Sequence, residues 1–182
     1  MKKDQKIVLH VCCGICALWV IKILKEEFAT LLLYFYNPNI YPHEEYEKRK
    51  EVFKKVVKIY QVPYLEGPEE REKWFEKIKG FENEPEGGKR CLICYRMRLE
   101  KTAALAKKLN YPLFTTTLTI SPHKKTSEIN QIGKEVAQNY GVSFLERDFK
   151  KKDGFKKTIE MAKKYKFYRQ NYCGCIFSMK NL

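Results

Sequence analysis

Residues 7–14 read Ile-Val-Leu-His-Val-Cys-Cys-Gly, a mainly apolar segment that runs directly into a Cys-Cys-Gly turn. A short apolar run that stops at a turn predicts a buried β-strand over residues 7–11. Beyond the turn, residues 17–28 repeat apolar side chains at helical spacing, from Leu18 to Phe28. The sequence therefore predicts a strand that leads directly into a helix.

The same alternation continues along the chain. Apolar runs predict further strands over residues 31–36, 63–65, 113–118 and 143–147. Amphipathic patterns predict further helices over residues 44–60, 70–79, 92–109, 126–140 and 155–165. Strands separated by helices imply right-handed crossovers and a parallel sheet covered on both faces. The expected fold is α/β, a single three-layer domain over residues 1–182 with a parallel sheet of about five strands.

Several polar segments follow the predicted strands. Those after the first, second, fourth and fifth strands are, in that order, Cys12 and Cys13, residues 37–39, residues 119–122, and Asp148. Ligand sites in open parallel sheets lie at the carboxyl ends of the strands. We therefore expect these four loops to line one crevice.

The charge of the chain is strongly basic. Lys and Arg total 36 against 22 Asp and Glu, a formal net charge of +14. Abundant Lys and Glu are also typical of heat-adapted proteins, but that trend does not explain the imbalance of sign. The composition therefore favours contact with a polyanion such as RNA or DNA over solubility alone.

The N-terminal segment has some features of an export signal, because Lys2 and Lys3 precede an apolar run. However, His10 and three cysteines interrupt the run, Lys22 follows without a small-residue cleavage site, and the run is too short to span a bilayer. No other segment is long and apolar enough to do so. We expect a cytoplasmic protein with no membrane partner and with reduced thiols.

The seven cysteines fall into three widely separated groups: Cys12, Cys13 and Cys16; Cys91 and Cys94; and Cys173 and Cys175. Such groups in a cytosolic chain favour metal binding or redox chemistry over structural disulfides. Cys91 and Cys94 are spaced to lie on one helical turn and to bind one metal centre. A half zinc site, or two buried core cysteines, is the alternative for this pair alone.

Zinc and iron–sulfur centres differ in their usual ligand patterns. A structural zinc site is closed by four ligands, commonly in paired Cys-x-x-Cys motifs. Here Cys12 and Cys13 are adjacent, only one residue separates Cys173 from Cys175, and the thiols exceed four in number. This pattern favours an iron–sulfur cluster bound by four cysteines, with three further thiols that bind another metal or cycle between dithiol and disulfide.

The C-terminal stretch over residues 168–175 reads Tyr-Arg-Gln-Asn-Tyr-Cys-Gly-Cys, an unusual composition for a disordered tail. Because its Gly allows a tight turn between the two thiols, we expect this tail to fold back over the crevice. The alternative is a tail helix that packs Tyr172 and Phe177 into the core.

Other residues carry weaker signals. His123 and Asp148 could transfer protons or could be ordinary surface residues. The basic stretches 150–157 and 163–169 could bind an RNA backbone or form solvated helix faces. No GxxxxGKS or GxGxxG phosphate loop occurs, and the first strand lacks the Ser-Gly-Gly-x-Asp-Ser loop of ATP pyrophosphatases. Machinery for nucleotide hydrolysis is therefore absent from the sequence.

A set of motifs over residues 7–178 is similar to those of a known family. The motifs are Cys12-Cys13-x-x-Cys16, Asn37-Pro-Asn-Ile-x-Pro-x-x-Glu45-Tyr46, Arg90-Cys91-x-x-Cys94, Arg98-Leu99, Thr116-Thr117-Leu118-x-x-Ser121-Pro122, Asp148-Phe-Lys-Lys and Tyr168-Arg-Gln-x-Tyr-Cys-Gly-Cys175. Together they resemble the QueH-type epoxyqueuosine reductases. Many members have Ala-Pro where this chain has Gly14-Ile15, a departure that changes no thiol.

The resemblance implies a HUP-like α/β fold and the reduction of epoxyqueuosine to queuosine at the wobble position of tRNA, the last step of queuosine biosynthesis. Conversion of an epoxide to an alkene needs two electrons, whereas one [4Fe-4S] cluster normally passes one electron at a time. The resemblance therefore implies a second redox or Lewis-acid site, supplied by an additional iron ion or a cysteine pair, and an electron donor that the sequence does not identify.

On this resemblance we assign the thiols as follows. Four bind the [4Fe-4S] cluster, namely Cys12, Cys13, Cys91 and Cys94. Cys173 and Cys175 form a redox-active pair or bind a second iron, and Cys16 is a further possible ligand of that iron. Asp148, His123 or a tyrosine hydroxyl would supply protons.

Two other functions stay open at this point. One is a zinc- or metal-scaffolded RNA-binding protein without redox activity. The other is a thiol-based sulfur-transfer protein that acts on tRNA through Cys173 and Cys175.

Overall fold

The computed structural model describes residues 5–179. Residues 1–4 and 180–182, the two ends of the predicted domain and the site of Lys2 and Lys3, lie outside the described residues. Five strands form one parallel sheet: β1 Lys6–Val11, β2 Thr30–Phe35, β3 Tyr64–Glu66, β4 Leu113–Thr116 and β5 Ser143–Phe144. Their order is β3-β2-β1-β4-β5, which confirms the predicted five-stranded α/β fold.

Helices cover both faces of this sheet. They are α1 Gly14–Glu27, α2 His43–Tyr60, α3 Arg71–Ile78, α4 Lys89–Lys108, α5 Thr126–Tyr140, α6 Gly154–Lys164 and the short α7 Ile176–Met179. Alternate residues of β1 point to opposite layers: Ile7, Leu9 and Val11 pack with α1 and α2, whereas Val8 packs with α4 and α5. The central strand is therefore buried on both sides, as its continuous apolar run predicted.

The connection between β1 and α1 depends on a glycine. A Cβ atom built on Gly14 would lie 2.6 Å from the backbone nitrogen of Phe53, which belongs to α2. The absence of a side chain lets α1 begin directly at the end of β1 while α2 packs closely against it. This approach places the first turn of α1, and its cysteines, at the carboxyl edge of the sheet.

Several element boundaries differ from the prediction: β5 ends at Phe144, not at residue 147, α1 begins at Gly14, not at residue 17, and the boundaries of β4 and α4 also move. β4 ends at Thr116 and continues as a 3₁₀ turn over Thr117–Ile120, because the Thr116 hydroxyl accepts a hydrogen bond from Leu118 N and turns the chain. α4 begins at Lys89, not at residue 92. The Arg90 side chain donates to the carbonyl oxygens of residues 81, 82 and 84, which anchors this earlier start.

No helix in the described part of the chain has both the length and the hydrophobicity needed to span a membrane.

Candidate active site at the carboxyl edge of the sheet

A cavity of about 310 Å³ opens at the carboxyl edge of the sheet. The loops after β1, β2 and β4 contribute to its wall, as predicted, and so do α6 and the C-terminal tail. Its charged lining residues are four cations and one carboxylate: Arg49, Arg98, Lys124, Arg169 and Glu86. The cavity is therefore predominantly basic.

Asp148 does not line this cavity, although it follows β5 as expected. Its carboxylate accepts a hydrogen bond from Lys150 N over 3.0 Å and lies 3.9 Å from Lys150 Nζ. His123, the other predicted proton donor, does line the cavity. The proton-donor roles of both residues stay predictions.

Cys12, Cys13 and Cys16 form a compact group. Their Sγ atoms all lie within 4.8 Å of one another. The β1–α1 turn brings them together, because Cys13 is the N-cap of α1 and its Sγ accepts from Cys16 N over 3.4 Å. Three soft ligands at this separation are suited to bind one metal ion or one edge of a cluster.

Local hydrogen bonds give these three thiols different pKa values. Hydrogen bonds from the thiols of Cys13 and Cys16 hold the pKa of Cys12 well below its ordinary value, and the Thr117 hydroxyl adds a donor 3.2 Å from Cys12 Sγ. The same hydrogen bonds to Cys12 raise the pKa values of Cys13 and Cys16. Cys12 is therefore the thiol of this group that most readily becomes the thiolate required of a metal ligand.

Cys91, Cys94, Cys173 and Cys175 form a second, looser group, in which no three Sγ atoms all lie within 4.8 Å of one another. Burial raises the pKa values of Cys91 and Cys94, the charges of Cys173 and Cys175 act in the same direction, and the pKa of Cys94 reaches about 11. α4 supplies the first two thiols and the tail supplies the other two. The predicted cluster ligands take two thiols from each group, and that assignment stays a prediction.

Two cations face these thiols, the buried Arg98 and the partly exposed Lys124. The guanidinium of Arg98 acts electrostatically on Cys94, Cys173 and Cys12, so it reaches both groups. Lys124 Nζ lies 3.4 Å from Cys173 Sγ. Both cations compensate negative charge on sulfur.

Arg90 also acts on one thiol, because its charge opposes the rise in the pKa of Cys91. Arg96 pairs with Glu135 on the outer face of α4, and Arg90 anchors the preceding loop. The sequence did not single out Lys124 as a site residue. Its role became evident only when the structure placed its loop, three residues after Ser121, in the cavity wall.

The C-terminal tail folds back over the crevice, as predicted. Arg49 of α2 donates to the carbonyl oxygens of Tyr172 and Cys173 over 3.2 and 2.9 Å, and its Nε donates to Glu45 over 2.7 Å. Tyr168 donates to the other oxygen of Glu45 over 2.6 Å. This buried pair therefore positions the backbone that carries Cys173.

Further contacts join the tail to the first thiol group and to the core. Gln170 Nε2 donates to Cys13 Sγ over 3.0 Å, and Tyr41 N donates to the carbonyl oxygen of Gly174 over 2.8 Å. The alternative prediction, a tail helix that packs into the core, is also confirmed in part, since Phe177 lies in α7 and packs against the core. All seven cysteines are free thiols.

His10 ties the carboxyl ends of three strands together beside the thiols. Its Nε2 donates to the Tyr36 carbonyl over 3.0 Å, and its Nδ1 lies 2.9 Å from the Thr116 hydroxyl. Burial, assisted by the charge of Arg98, lowers the pKa of His10 to about 4. The imidazole is therefore neutral near pH 7 and fixes the strand ends without adding charge.

The donor set fits an iron–sulfur group. Thiolates are the ligands of such clusters, and four of the seven cysteines are buried while the other three are only partly exposed. Arg98 and Lys124 balance the charge that a thiolate-ligated cluster would bring. The two thiol groups together supply more ligands than one cluster requires.

Free thiols beside a basic cavity, at the carboxyl edge of a parallel sheet, define a class of α/β protein suited to cysteine or metal–sulfur chemistry. A family model described as "Epoxyqueuosine reductase QueH" matches residues 7–181. The chain belongs to this family of oxidoreductases.

Curated relatives carry the same name. The protein from Streptococcus pyogenes is 39% identical over 180 residues, which cover 96% of this chain and 70% of that protein. The protein from Thermotoga maritima is 39% identical over 177 residues, which cover 95% of this chain and 90% of that protein. The similarity therefore extends over nearly the whole of this chain and most of each relative.

Solved structures share the fold at low sequence identity. The U34-tRNA thiolase NcsA from Methanococcus maripaludis with its [4Fe-4S] cluster aligns with a TM-score of 0.58 and 12% identity, over 97% of this chain and 62% of its own. A predicted subunit of tRNA methyltransferase from Methanocaldococcus jannaschii aligns with a TM-score of 0.52 and 14% identity, over 86% of this chain and 74% of its own. These likenesses confirm the expected α/β fold.

Proposed function

We propose that this protein reduces epoxyqueuosine to queuosine in tRNA. The observation that carries the proposal is that Cys12 and Cys16 of the first thiol group and Cys173 of the second line one basic cavity, in a chain of the epoxyqueuosine reductase family. The reaction removes the epoxide oxygen: both of its C–O bonds break, a carbon–carbon double bond forms, and the oxygen leaves as water. It consumes two electrons and two protons, which an electron donor and the solvent supply.

Cys12, Cys13, Cys91 and Cys94 would bind the [4Fe-4S] cluster in this proposal. Cys173 and Cys175 would act as a redox-active pair or bind an additional iron, with Cys16 as a further ligand. When bound, the cluster and the second site supply the two electrons and a Lewis acid for the epoxide oxygen. Arg98 and Lys124, whose charges both act on Cys173, would balance the negative charge that ligating thiolates bring.

Proton delivery falls to the polar wall of the cavity. His123 is best placed for this role, because it lines the cavity directly. Tyr172 also lines it, but its hydroxyl donates to the Tyr41 carbonyl. Asp148 would have to act through a water molecule, since its carboxylate lies outside the cavity wall.

The charge of the molecule supports an RNA substrate. The net charge is +14, and exposed Arg169 brings this positive charge to the cavity itself. Phosphate groups on either side of the target nucleotide would bind such a surface. A cytoplasmic location, where tRNA is abundant and thiols stay reduced, fits the seven free cysteines.

The metal content tests the cofactor. After anaerobic purification and reconstitution, iron and acid-labile sulfide are measured per chain, for the parent protein and for each Cys-to-Ser variant. We expect a brown protein with about four sulfides per chain, and loss of the cluster spectrum in variants of its ligands. A colourless zinc protein would instead support the metal-scaffolded RNA-binding alternative.

The product tests the reaction. Turnover of epoxyqueuosine-containing tRNA should yield queuosine, whereas thiolated RNA would identify a sulfur-transfer protein. Cys175→Ala should abolish turnover while the cluster spectrum survives, because this thiol belongs to the second site in the proposal. Normal turnover by Cys175→Ala would contradict the assignment.

A further inference from the structure

The cavity wall contains hydrogen-bonding atoms that the protein leaves unused. Within residues 5–179, seven buried side-chain N and O atoms lack a hydrogen-bond partner, and three of these belong to cavity-lining residues: Asn37 Oδ1, Asn39 Oδ1 and Thr158 Oγ1. Such atoms are rare in folded proteins, because each one gives up its hydrogen bonds to water without gaining a replacement. Their concentration in one wall indicates that something else hydrogen-bonds to them.

Asn37 is fixed in orientation by the sheet. Its Nδ2 donates to the Val11 carbonyl over 2.9 Å, which leaves Oδ1 as the free end of the amide. The residue is only 1% exposed. Asn37 therefore presents a rigid acceptor at the end of β2.

Asn39 lies two residues further on, in the same Asn-Pro-Asn turn, and is 3% exposed. Neither atom of its amide has a protein partner in the described part of the chain. It therefore offers an acceptor and a donor side by side. This is the pattern that complements an N–H group next to an acceptor on the edge of a nucleobase.

Thr158 completes the set from α6. Phe155 and Ile159, on the same face of that helix, also line the cavity, so the hydroxyl of Thr158 lies among apolar neighbours. Its Oγ1 is unpartnered and the residue is 1% exposed. The cavity thus combines polar atoms from the Asn-Pro-Asn turn with an aromatic ring and a hydroxyl from α6.

We propose that Asn37 and Asn39 bind the hydrogen-bonding edge of the target nucleoside and determine which nucleoside enters the site. Asn39 pairs with the base edge, Asn37 accepts one further N–H or O–H donor, and Thr158 binds a polar group of the same nucleoside. This inference rests on the proposed function, because it takes the substrate to be a nucleoside within RNA.

The size of the cavity supports a single nucleoside. At about 310 Å³ it lies at the lower end of the range for small-molecule sites and is too small to admit a helical stem. Enzymes that modify a base in RNA or DNA extrude it from the stack, or use an unstacked one, and read its exposed edge by hydrogen bonds. The target nucleoside would therefore be bound with its base turned away from its neighbours.

The test compares Asn39→Ala with Asn130→Ala. Asn130 carries another unpartnered buried amide oxygen, but it does not line the cavity, so it controls for the loss of such an oxygen in general. With epoxyqueuosine-containing tRNA, Asn39→Ala should lower kcat/KM about 10- to 100-fold, whereas Asn130→Ala should stay within about 2-fold of the parent. The dissociation constant for whole tRNA and the iron content should change little in both, because backbone phosphates dominate RNA affinity.

Two further variants separate the possible outcomes. Asn39→Asp keeps the shape but replaces the amide donor with a second acceptor, and should be at least as impaired as Asn39→Ala. Thr158→Val removes the unpartnered hydroxyl contributed by α6 and should lower kcat/KM about 3- to 30-fold.

If Asn39→Ala and Thr158→Val both turn over like the parent, these atoms bind only water and the inference is wrong. Loss of iron from Asn39→Ala would also overturn it, by showing a role in cofactor binding. An inactive parent protein would contradict the proposed function itself.

Discussion

The guanidinium of Arg49 donates a hydrogen bond of 2.9 Å to the backbone carbonyl of Cys173. This contact joins the middle of α2 to a thiol more than a hundred residues later in the chain. The same guanidinium is paired with the buried carboxylate of Glu45 at 2.7 Å, so its position is fixed from both sides. A helix that contributes no thiol therefore positions the tail that carries two thiols of the second group.

Arg49→Leu should detach the tail. The substitution leaves Glu45 buried without its cation, which typically costs about 3–5 kcal/mol of unfolding free energy. Chemical denaturation measures this loss, and hydrogen exchange should show faster exchange over residues 168–179. Arg96→Leu is the matched control, because it breaks an exposed pair with Glu135 and should cost less than about 1 kcal/mol. A tail as protected in Arg49→Leu as in the parent would contradict this role.

Gly174→Ala should destabilise the tail more than a glycine replacement elsewhere. Gly174 has φ 131°, and an added Cβ would lie 2.8 Å from Arg49 Nη1. Arg49 can move only by giving up its hydrogen bond to Cys173, so we expect a loss of about 1–3 kcal/mol and lower turnover.

Gly141→Ala is the control for this substitution. Gly141 also has a positive φ, of 66°, but an added Cβ would meet nothing within 4 Å. It should cost only about 1 kcal/mol, the usual penalty for a left-handed residue with a side chain, and should leave turnover intact. Equal effects of the two substitutions on turnover would show that contact with Arg49 is unimportant.

Glu70 should contribute to stability in a pH-dependent way. Burial acts to raise its pKa, but hydrogen bonds from Lys73, Tyr36 and Lys101 outweigh burial and lower the pKa to about 2. Because the folded pKa lies below the unfolded one, the stabilisation is complete above about pH 4.5 and is lost as the pH falls towards 2.

The corresponding variant is Glu70→Gln. It should unfold more easily than the parent by about 1 kcal/mol at pH 7, and the difference should vanish near pH 2. Denaturation curves across this pH range provide the measurement, with Glu128→Gln as a control that breaks an exposed pair with Lys125. A constant difference at every pH would contradict the shifted pKa.

Arg169→Ala should weaken RNA binding in a salt-dependent way. Arg169 is exposed and lines the cavity, so it is placed to contact a phosphate beside the target nucleotide. Binding titrations between about 50 and 200 mM salt should show a slope of log K against log salt that is smaller by about one for the variant. Lys134→Ala is the control, because Lys134 lies on α5, does not line the cavity and is paired with Glu146. This variant should leave the slope unchanged. The same slope for Arg169→Ala and the parent would exclude a phosphate contact.

The pattern of apolar residues was enough to predict the sheet, because a parallel strand buried on both faces leaves a mainly apolar run such as residues 7–11. The start of α4 was missed, since it depends on Arg90 reaching carbonyl groups in the preceding loop. Sequence also indicated that the cysteines would meet at the carboxyl edge. It could not show that they form two groups, because that division depends on where the tail lies.

The residues that position the site were the hardest to find. Arg49 and Lys124 lie in ordinary charged segments, and only long-range contacts distinguish them from solvated side chains. Asn37 and Asn39 had a detectable signal, as polar residues at a strand end. Their unused amide oxygens became visible only with the cavity wall in place.

Arg49 holds the tail through hydrogen bonds whose acceptors are backbone carbonyl oxygens. Every amino acid carries such an oxygen, so the hydrogen bond from Arg49 to residue 173 does not depend on the side chain at that position. Mutation can therefore exchange sulfur for oxygen or selenium at this position without relocating it. An engineer could vary the reactivity of the site one atom at a time on an unchanged scaffold.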